Sequence, residues 1–214
     1  MSTPVHEQLA QALAQDRPIL IVLAGSNGAG KSTYYRHVLR STGLAFVNAD
    51  EIAKAMRPEN PKAVAYDAMH LAEDMREDLL AHRQSFIMET VLSDTQGAKL
   101  DFMQRAKDAG YCLIAVIIRI ESPEISIARV MQRVAEGGHD VPDTKLHQRF
   151  SRTLRNAGKA VAMADLGIVL DNNNLATPYL HIETWVNGKP LERETSMRVN
   201  TDSRRPAAGA RNPG

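Results

Sequence analysis

The chain has 214 residues, 43% apolar and 24% charged, with a formal net charge of +1. This suits one domain of ordinary size with a normal core, and excludes both a chain built throughout to bind polyanions and one disordered over most of its length. Cys112 is the lone cysteine, which excludes an intramolecular disulfide and fits a reducing compartment.

Residues 1–17 are polar and carry Glu7 and Asp16. They lack the basic start and apolar stretch of a signal peptide, and no apolar run approaches the ~20 residues that span a bilayer. The expectation is a cytoplasmic protein with no membrane partner, in which 1–17 form an N-terminal helical extension to a main domain over 18–197. From Arg198 the composition shifts to Arg, Pro, Ala and Gly without periodicity, so 198–214 read as a disordered tail.

Apolar runs alternate with segments of helical period, the pattern of an α/β fold with a mostly parallel sheet. Five strands are expected: Ile19 to Ala24, Ala45 to Val47, one starting at Phe86 to Met88, Tyr111 to Ile120, and Leu166 to Leu170. The first is continuously apolar and so buried on both faces. Cys112, inside the fourth, reads as a small buried strand residue. Asn48 with Glu51, and Ser93 with Gln96, have the spacing of capping boxes. Ser122-Pro123-Glu124 opens a further helix. Val64, Leu71, Met75 and Leu79 give Pro61 to His82 a helical stripe. Gly110 and Gly137-Gly138 read as helix stops. Tyr179 to Val186 and the chain from Leu191, divided by Asn187-Gly188, have the form of a terminal hairpin.

The first strand runs into Gly25-Ser26-Asn27-Gly28-Ala29-Gly30-Lys31-Ser32, the pattern G-x-x-x-x-G-K-[ST]. Its four fixed positions would match by chance in roughly one chain of this length per hundred, so the strand before and the helix after carry weight. Glycines let backbone N–H groups turn inward around phosphate oxygens, and the helix N-terminus adds positive potential. Lys31 supplies a point charge for the β- and γ-phosphates, and the Ser32 hydroxyl a ligand for Mg²⁺. Gly25 through Thr33 are therefore the candidate site for ATP, with GTP as the alternative.

Ligands of open α/β sheets lie beyond the carboxyl ends of the strands. Asp50 follows the second strand and Glu89 ends the third, so both can approach the γ-phosphate. Asp50 reads either as a first-turn acid favoured by the helix dipole or as a base for an attacking hydroxyl. Glu89 reads as a strand-end acid, or as a group holding Mg²⁺ through water or gripping the acceptor. Arg129, Arg133, Lys145, Arg149, Arg152, Arg155 and Lys159 make a basic segment. Most read as a solvated helical face, while Arg133 and Arg149 are candidates to reach the phosphates beside a flap formed by Gly137 to Pro142. His139 reads as a loop residue.

Beyond the loop itself, Phe46-Val-Asn-Ala-Asp-Glu-Ile52, Phe86-Ile-Met-Glu-Thr90, Arg133 to Pro142, Arg149, Ala164-Asp165 and Asp171-Asn172 resemble the zeta toxin-like family of phosphate-loop kinases. The likeness covers about Pro18 to Asn173 and is nearest the chromosomal branch loosely labelled "predicted ATPase". It implies a P-loop NTPase fold, kinase-like, of three αβα layers, with Asp50 in the base position and Arg133 and Arg149 on the phosphates. Better-known members phosphorylate a UDP-amino sugar, typically UDP-N-acetylglucosamine, and are neutralised by a partner antitoxin. The leading reading is a small-molecule kinase acting on an alcohol. A regulatory ATPase without an acceptor and a kinase of nucleic-acid ends are the alternatives. Few aromatics, 5% of residues, argue against base stacking and a nucleic-acid partner.

Overall fold

The computed structural model describes residues 4–135 and 141–191. The Gly137-Gly138 stop, His139 and the tail from Arg198 lie outside the described residues.

Seven strands form one sheet in the order β2-β3-β1-β4-β5-β6-β7. They are β1 (Ile19–Ala24), β2 (Ala45–Val47), β3 (Phe86–Thr90), β4 (Cys112–Arg119), β5 (Leu166–Asp171), β6 (Leu180–Val186) and β7 (Lys189–Pro190). The first five are mutually parallel, and β6 and β7 add antiparallel. The expected five strands thus gain two, because the Asn187-Gly188 hairpin continues the main sheet. Its turn residues take φ of 49° and 74°, the left-handed values a tight hairpin needs. Pairing with β6 also covers the edge that β5 would otherwise expose.

Alternate residues of the central strands feed two cores. Leu20, Val22, Phe86, Met88 and Leu113 pack with α4 (Ala65–Ala81), α5 (Ala98–Asp108) and α7 (Asp143–Met163). Ile21, Leu23, Ile114, Val116 and Ile168 pack with α1 (Pro4–Leu13) and α2 (Lys31–His37), and Cys112 is buried there. Helix α3 (Ala49–Met56) follows β2, and α6 (Pro123–Ala135) follows β4. Helices α6 and α7 share a separate small cluster of Val130, Val141 and Leu146.

Local signals at helix starts meet mixed outcomes. Asn48 caps α3, its Oδ1 accepting from Asp50 N at 2.8 Å and Glu51 N at 3.2 Å. The Glu51 carboxylate turns instead to Lys54 at 2.9 Å. The Ser93 cap does not form: α5 starts five residues later, after Gly97 at φ 83°. The cause is α7, whose Arg152 Nε donates to Ser93 O at 3.0 Å and whose Asn156 Nδ2 donates to Leu92 O at 2.8 Å. Those bonds hold the segment in a non-helical path up to Gly97. In α4 the apolar stripe is only partly right: Leu79 packs against the core, but the two stripe residues before it do not. Leu71 and Met75 are 42% and 38% exposed, and the buried positions are Ala68, Ala72 and Arg76. Pro61–Val64 is a separate 3-10 turn before the helix.

Tyr111, at the amino end of β4, has its hydroxyl 2.9 Å from both Leu79 O and Gln84 O, fastening the end of α4 to the sheet. Tyr111→Phe removes both bonds, although Leu79 O keeps Gln84 N as a donor at 3.0 Å, and should cost ~0.5–1.5 kcal/mol. A lowered urea midpoint with unaltered nucleotide affinity is expected. A loss of nucleotide affinity would show that this edge is not independent of the opposite end.

Candidate active site

The glycine-rich loop leaves the carboxyl end of β1 and is fastened from outside. Ser126 Oγ donates to Asn27 O at 2.7 Å, and Arg129 Nη1 to Gly28 O at 3.4 Å. Asn172 Nδ2 donates to Ala29 O at 2.8 Å, and the Tyr179 hydroxyl to Gly30 O at 2.9 Å. Four consecutive carbonyls are thereby bonded from outside the loop, Gly30 O also accepting from Tyr34 N at 2.9 Å. The Ala29 N–H is taken by Ser26 O at 3.1 Å, and because a trans peptide sets each N–H opposite its carbonyl, the amides of Gly28, Gly30 and Lys31 are the ones left to an anion in the cavity. Gly30 (φ 97°) is required at its position: a Cβ there would come within 2.6 Å of Asn172 Nδ2 and 2.9 Å of the Tyr179 hydroxyl.

Lys31 opens α2 and is 7% exposed. Its Nζ donates to Gly25 O at 2.9 Å and Ser26 O at 3.0 Å, with a Glu89 oxygen at 4.0 Å. Burial holds its pKa below the ordinary lysine value; Glu89 and Asp50 oppose that shift and Arg133 adds to it. Ser32 Oγ donates toward the Glu89 carboxylate at 3.1 and 3.3 Å. Glu89 is brought beside the loop because β3 pairs with β1, with Glu89 opposite Leu23.

A cavity of about 680 Å³ is lined by Asn27, Gly28, Gly30, Lys31, Ser32 and Thr33 of the loop. Asp50, Glu89, Arg133 and Arg149 line it too, so α3, β3, α6 and α7 each contribute one of the expected residues. Gly25, Ser26 and Ala29 are buried and do not line it. Asp50, Ser32 and Arg133 also line an adjoining cavity of about 910 Å³, against which Tyr35 stacks on Phe46 at 3.6 Å.

The basic segment is less solvated than expected. Arg129 Nη2 donates to Asn172 O at 2.8 Å and Asn173 O at 3.1 Å while its Nη1 reaches the loop, and Arg152 is the support for Ser93 described above. Sequence reasoning missed the fastening roles of Ser126, Arg129, Asn172 and Tyr179. A signal existed for Asn172, which directly follows β5 at the carboxyl edge of the sheet. Tyr179 carried none, since its contact crosses 149 residues.

A parallel core in the order β2-β3-β1-β4-β5, with a glycine-rich loop after β1 and a Lys-Ser pair opening α2, defines the class of phosphate-loop, kinase-like nucleotide-binding proteins. The family model for zeta toxin matches residues 5–180, and the chain belongs to that family, one of phosphate-loop kinases. An uncharacterised protein of Haemophilus influenzae is 30% identical over 130 residues, 61% of this chain and 91% of that protein. Among solved structures, the AvrRxo1-ORF1:-ORF2 complex with ATP is similar at a TM-score of 0.65 and 18% identity, covering 86% of this chain. The chain spans 63% of that chain's length. The PezAT chromosomal toxin–antitoxin system of Streptococcus pneumoniae is similar at a TM-score of 0.55 and 16% identity, over 83% of this chain and 78% of that one. By family and fold the chain is a phosphate-loop protein of the zeta toxin family with a kinase-like fold.

Asn172→Ala strips the Ala29 carbonyl of its outside donor. Stability should fall by about 1–3 kcal/mol, the cost of an unsatisfied buried carbonyl, and nucleotide affinity, measured by calorimetry, should fall as well. A loss of stability with affinity intact would mean Asn172 supports the fold and not the loop. Lys31 makes a pH prediction. Phosphates favour its charged form, so binding draws its pKa back up. Above the free-state pKa, binding takes up a proton and affinity declines as pH rises. Affinity of an ATP analogue should therefore begin to drop at a pH below where an ordinary lysine titrates, and the drop should vanish in Lys31→Ala. A flat profile would contradict the depressed pKa.

Proposed function

We propose that the chain transfers the γ-phosphoryl group of ATP, with GTP as the alternative donor, to a hydroxyl of a small-molecule acceptor, with UDP-amino sugars such as UDP-N-acetylglucosamine as the leading class. One observation carries this reading. The Asp50 carboxylate borders both the cavity containing Lys31 and Ser32 and the adjoining ≈910 Å³ cavity. A hydroxyl bound at that junction meets a carboxylate on one side and the phosphate loop on the other. An ATPase without an acceptor has no use for the second cavity.

Each residue then has a part. Asp50 takes the hydroxyl proton as the new O–P bond forms. Lys31 and the inward amides hold β- and γ-oxygens, and Arg133 and Arg149 offset charge on the group in transit. The Ser32 hydroxyl and Glu89 carboxylate, 3.1 Å apart, are hard oxygen donors suited to Mg²⁺, which usually takes one or two protein oxygens and completes its shell with phosphate and water. That ion would neutralise phosphate charge when bound. A cognate antitoxin is a proposed partner, on the likeness to the PezAT toxin–antitoxin system. Among the described residues no helix is long and apolar enough to cross a membrane, and the cytoplasm is the proposed location.

Asp50→Asn tests the reading. It keeps size and most of the helix-start geometry but cannot take a proton. Single-turnover transfer to UDP-N-acetylglucosamine, or to whichever metabolite a labelled-ATP screen finds, should fall roughly 10²–10⁴-fold, with ATP affinity nearly intact. A first-turn acid serving only the helix dipole would lose about 0.3–1 kcal/mol of stability and nothing in turnover. Full transfer with a small drop in melting temperature would remove the base role.

A further inference from the structure

The face that α4 buries includes a charge. Arg76 follows Ala68 and Ala72 on that face, and its side chain is 8% exposed. It lines the cavity that holds the phosphate loop, as does Lys99 of α5. Charges between α4 and α5 are otherwise matched. Arg105 grips Glu77 with two bonds of 2.6 and 2.9 Å, and Lys99 Nζ bonds Glu73 Oε1 at 2.8 Å. Arg76 is left over. Its one carboxylate within 4.0 Å among the described residues is Glu73, at 3.7 Å, through the oxygen that Lys99 already bonds. No hydrogen bond from its guanidinium to a described residue accompanies that contact.

A buried guanidinium with five donors and a shared counter-ion is an expensive arrangement. Burial lowers its pKa, partly offset by Glu73 and Glu77. It does not serve to join the two helices, which Lys99 and Arg105 already link. Asp94 lines the same cavity, but both its carboxylate oxygens are closed off from solvent and lie beyond ion-pair distance of Arg76. What remains is a cation facing a space whose other end is a phosphate loop.

We propose that Arg76, assisted by Lys99, binds an anionic group of the phosphoryl acceptor, a phosphate or a carboxylate. This rests on the kinase reading and adds to it the side chains that select the acceptor by its charge. Arg76 is suited to the role because its planar fork matches both oxyanions in bidentate fashion. The charged group is held at the α4–α5 end of the cavity while a hydroxyl of the same molecule lies toward Asp50.

The test uses the full chain loaded with Mg²⁺ and the non-hydrolysable analogue AMP-PNP, so that the phosphate loop is filled. Calorimetric titration with pyrophosphate should detect a further site, which Arg76→Gln weakens about ten- to a hundredfold, the worth of a hydrogen bond to a charged group. Arg76→Lys should recover part of it, and Lys99→Gln should weaken it less. UDP-N-acetylglucosamine should outbind N-acetylglucosamine, and glucuronate should outbind glucose; whichever charged member gains more tells phosphate from carboxylate. Affinity for AMP-PNP and the thermal melt of the variants report whether the loop and fold survive. No pyrophosphate site on the loaded protein, or one indifferent to both Arg76→Gln and Lys99→Gln, overturns the proposal. Failure of the wild type to bind AMP-PNP is a separate result: it removes the kinase reading, and this inference with it.

Discussion

The site depends on four carbonyls that face away from it. Amides can converge on a phosphate only if the carbonyls alternating with them are satisfied elsewhere, since an unpaired buried carbonyl costs about as much as a lost hydrogen bond. Here the partners are Ser126, Arg129, Asn172 and Tyr179, all of them past β4 in the chain. That explains why the sheet is ordered as it is. With β4 and then β5 on one side of β1, the segments following those strands fall against the back of the loop. On the other side, β3 and β2 deliver Glu89 and Asp50 to its front. One neighbour pair holds the backbone and the other brings the carboxylates.

The front of the loop is a balance of close charges. Lys31 is buried, and an isolated buried ammonium would surrender its proton. Two loop carbonyls and the Glu89 carboxylate oppose that tendency. The same carboxylate accepts from Ser32. Lys31 thus rests on groups that a phosphate would replace with a stronger anion, and little rearrangement is needed to admit one. Arg133 and Arg149 approach from helices that share their own small apolar cluster. Helix α7 also sends Phe150, Ala157, Ala160 and Val161 into the main cores, so the charge of Arg149 is carried by an element anchored to the sheet.

How far the chain was legible follows from which forces act locally. Strands β1, β4 and β5 are continuous apolar runs because both faces are buried, so their positions could be read directly. The phosphate loop could be read because its chemistry demands glycine and lysine at fixed spacing. Asn48 could be read because a cap acts two or three residues away. The failures share a cause, which is contact across long stretches of chain. Ser93 has every local mark of a cap and loses to Arg152 and Asn156, some sixty residues on. Leu71 and Met75 make a better apolar stripe than Ala68, Ala72 and Arg76, yet the latter three are the buried ones. Periodicity finds a stripe but cannot tell which face meets a partner. The arginines were readable as a group but not individually, because spacing along a helix does not say which member meets a backbone carbonyl.

Helix α7 shows what that group of residues accomplishes together. Arg149, Arg152 and Asn156 are spaced three and four apart, on one face. Arg149 borders the phosphate cavity, Arg152 bonds Ser93 O, and Asn156 bonds the carbonyls of Leu92 and Asp94. Leu92 is buried with a φ of 55°, a conformation that costs a residue with a side chain of order 1–2 kcal/mol. It persists because Thr90 Oγ1 accepts its N–H at 3.1 Å and Asn156 takes its carbonyl. The same helix therefore fixes the segment that leaves Glu89 and sets the position of Arg149. A displacement of α7 along its axis would move the arginine and disturb the loop beyond β3 together. The phosphate end of the cavity and the wall leading toward Lys99 are governed by one rigid element, which ties the charge on the transferring group to the shape of the space beside it.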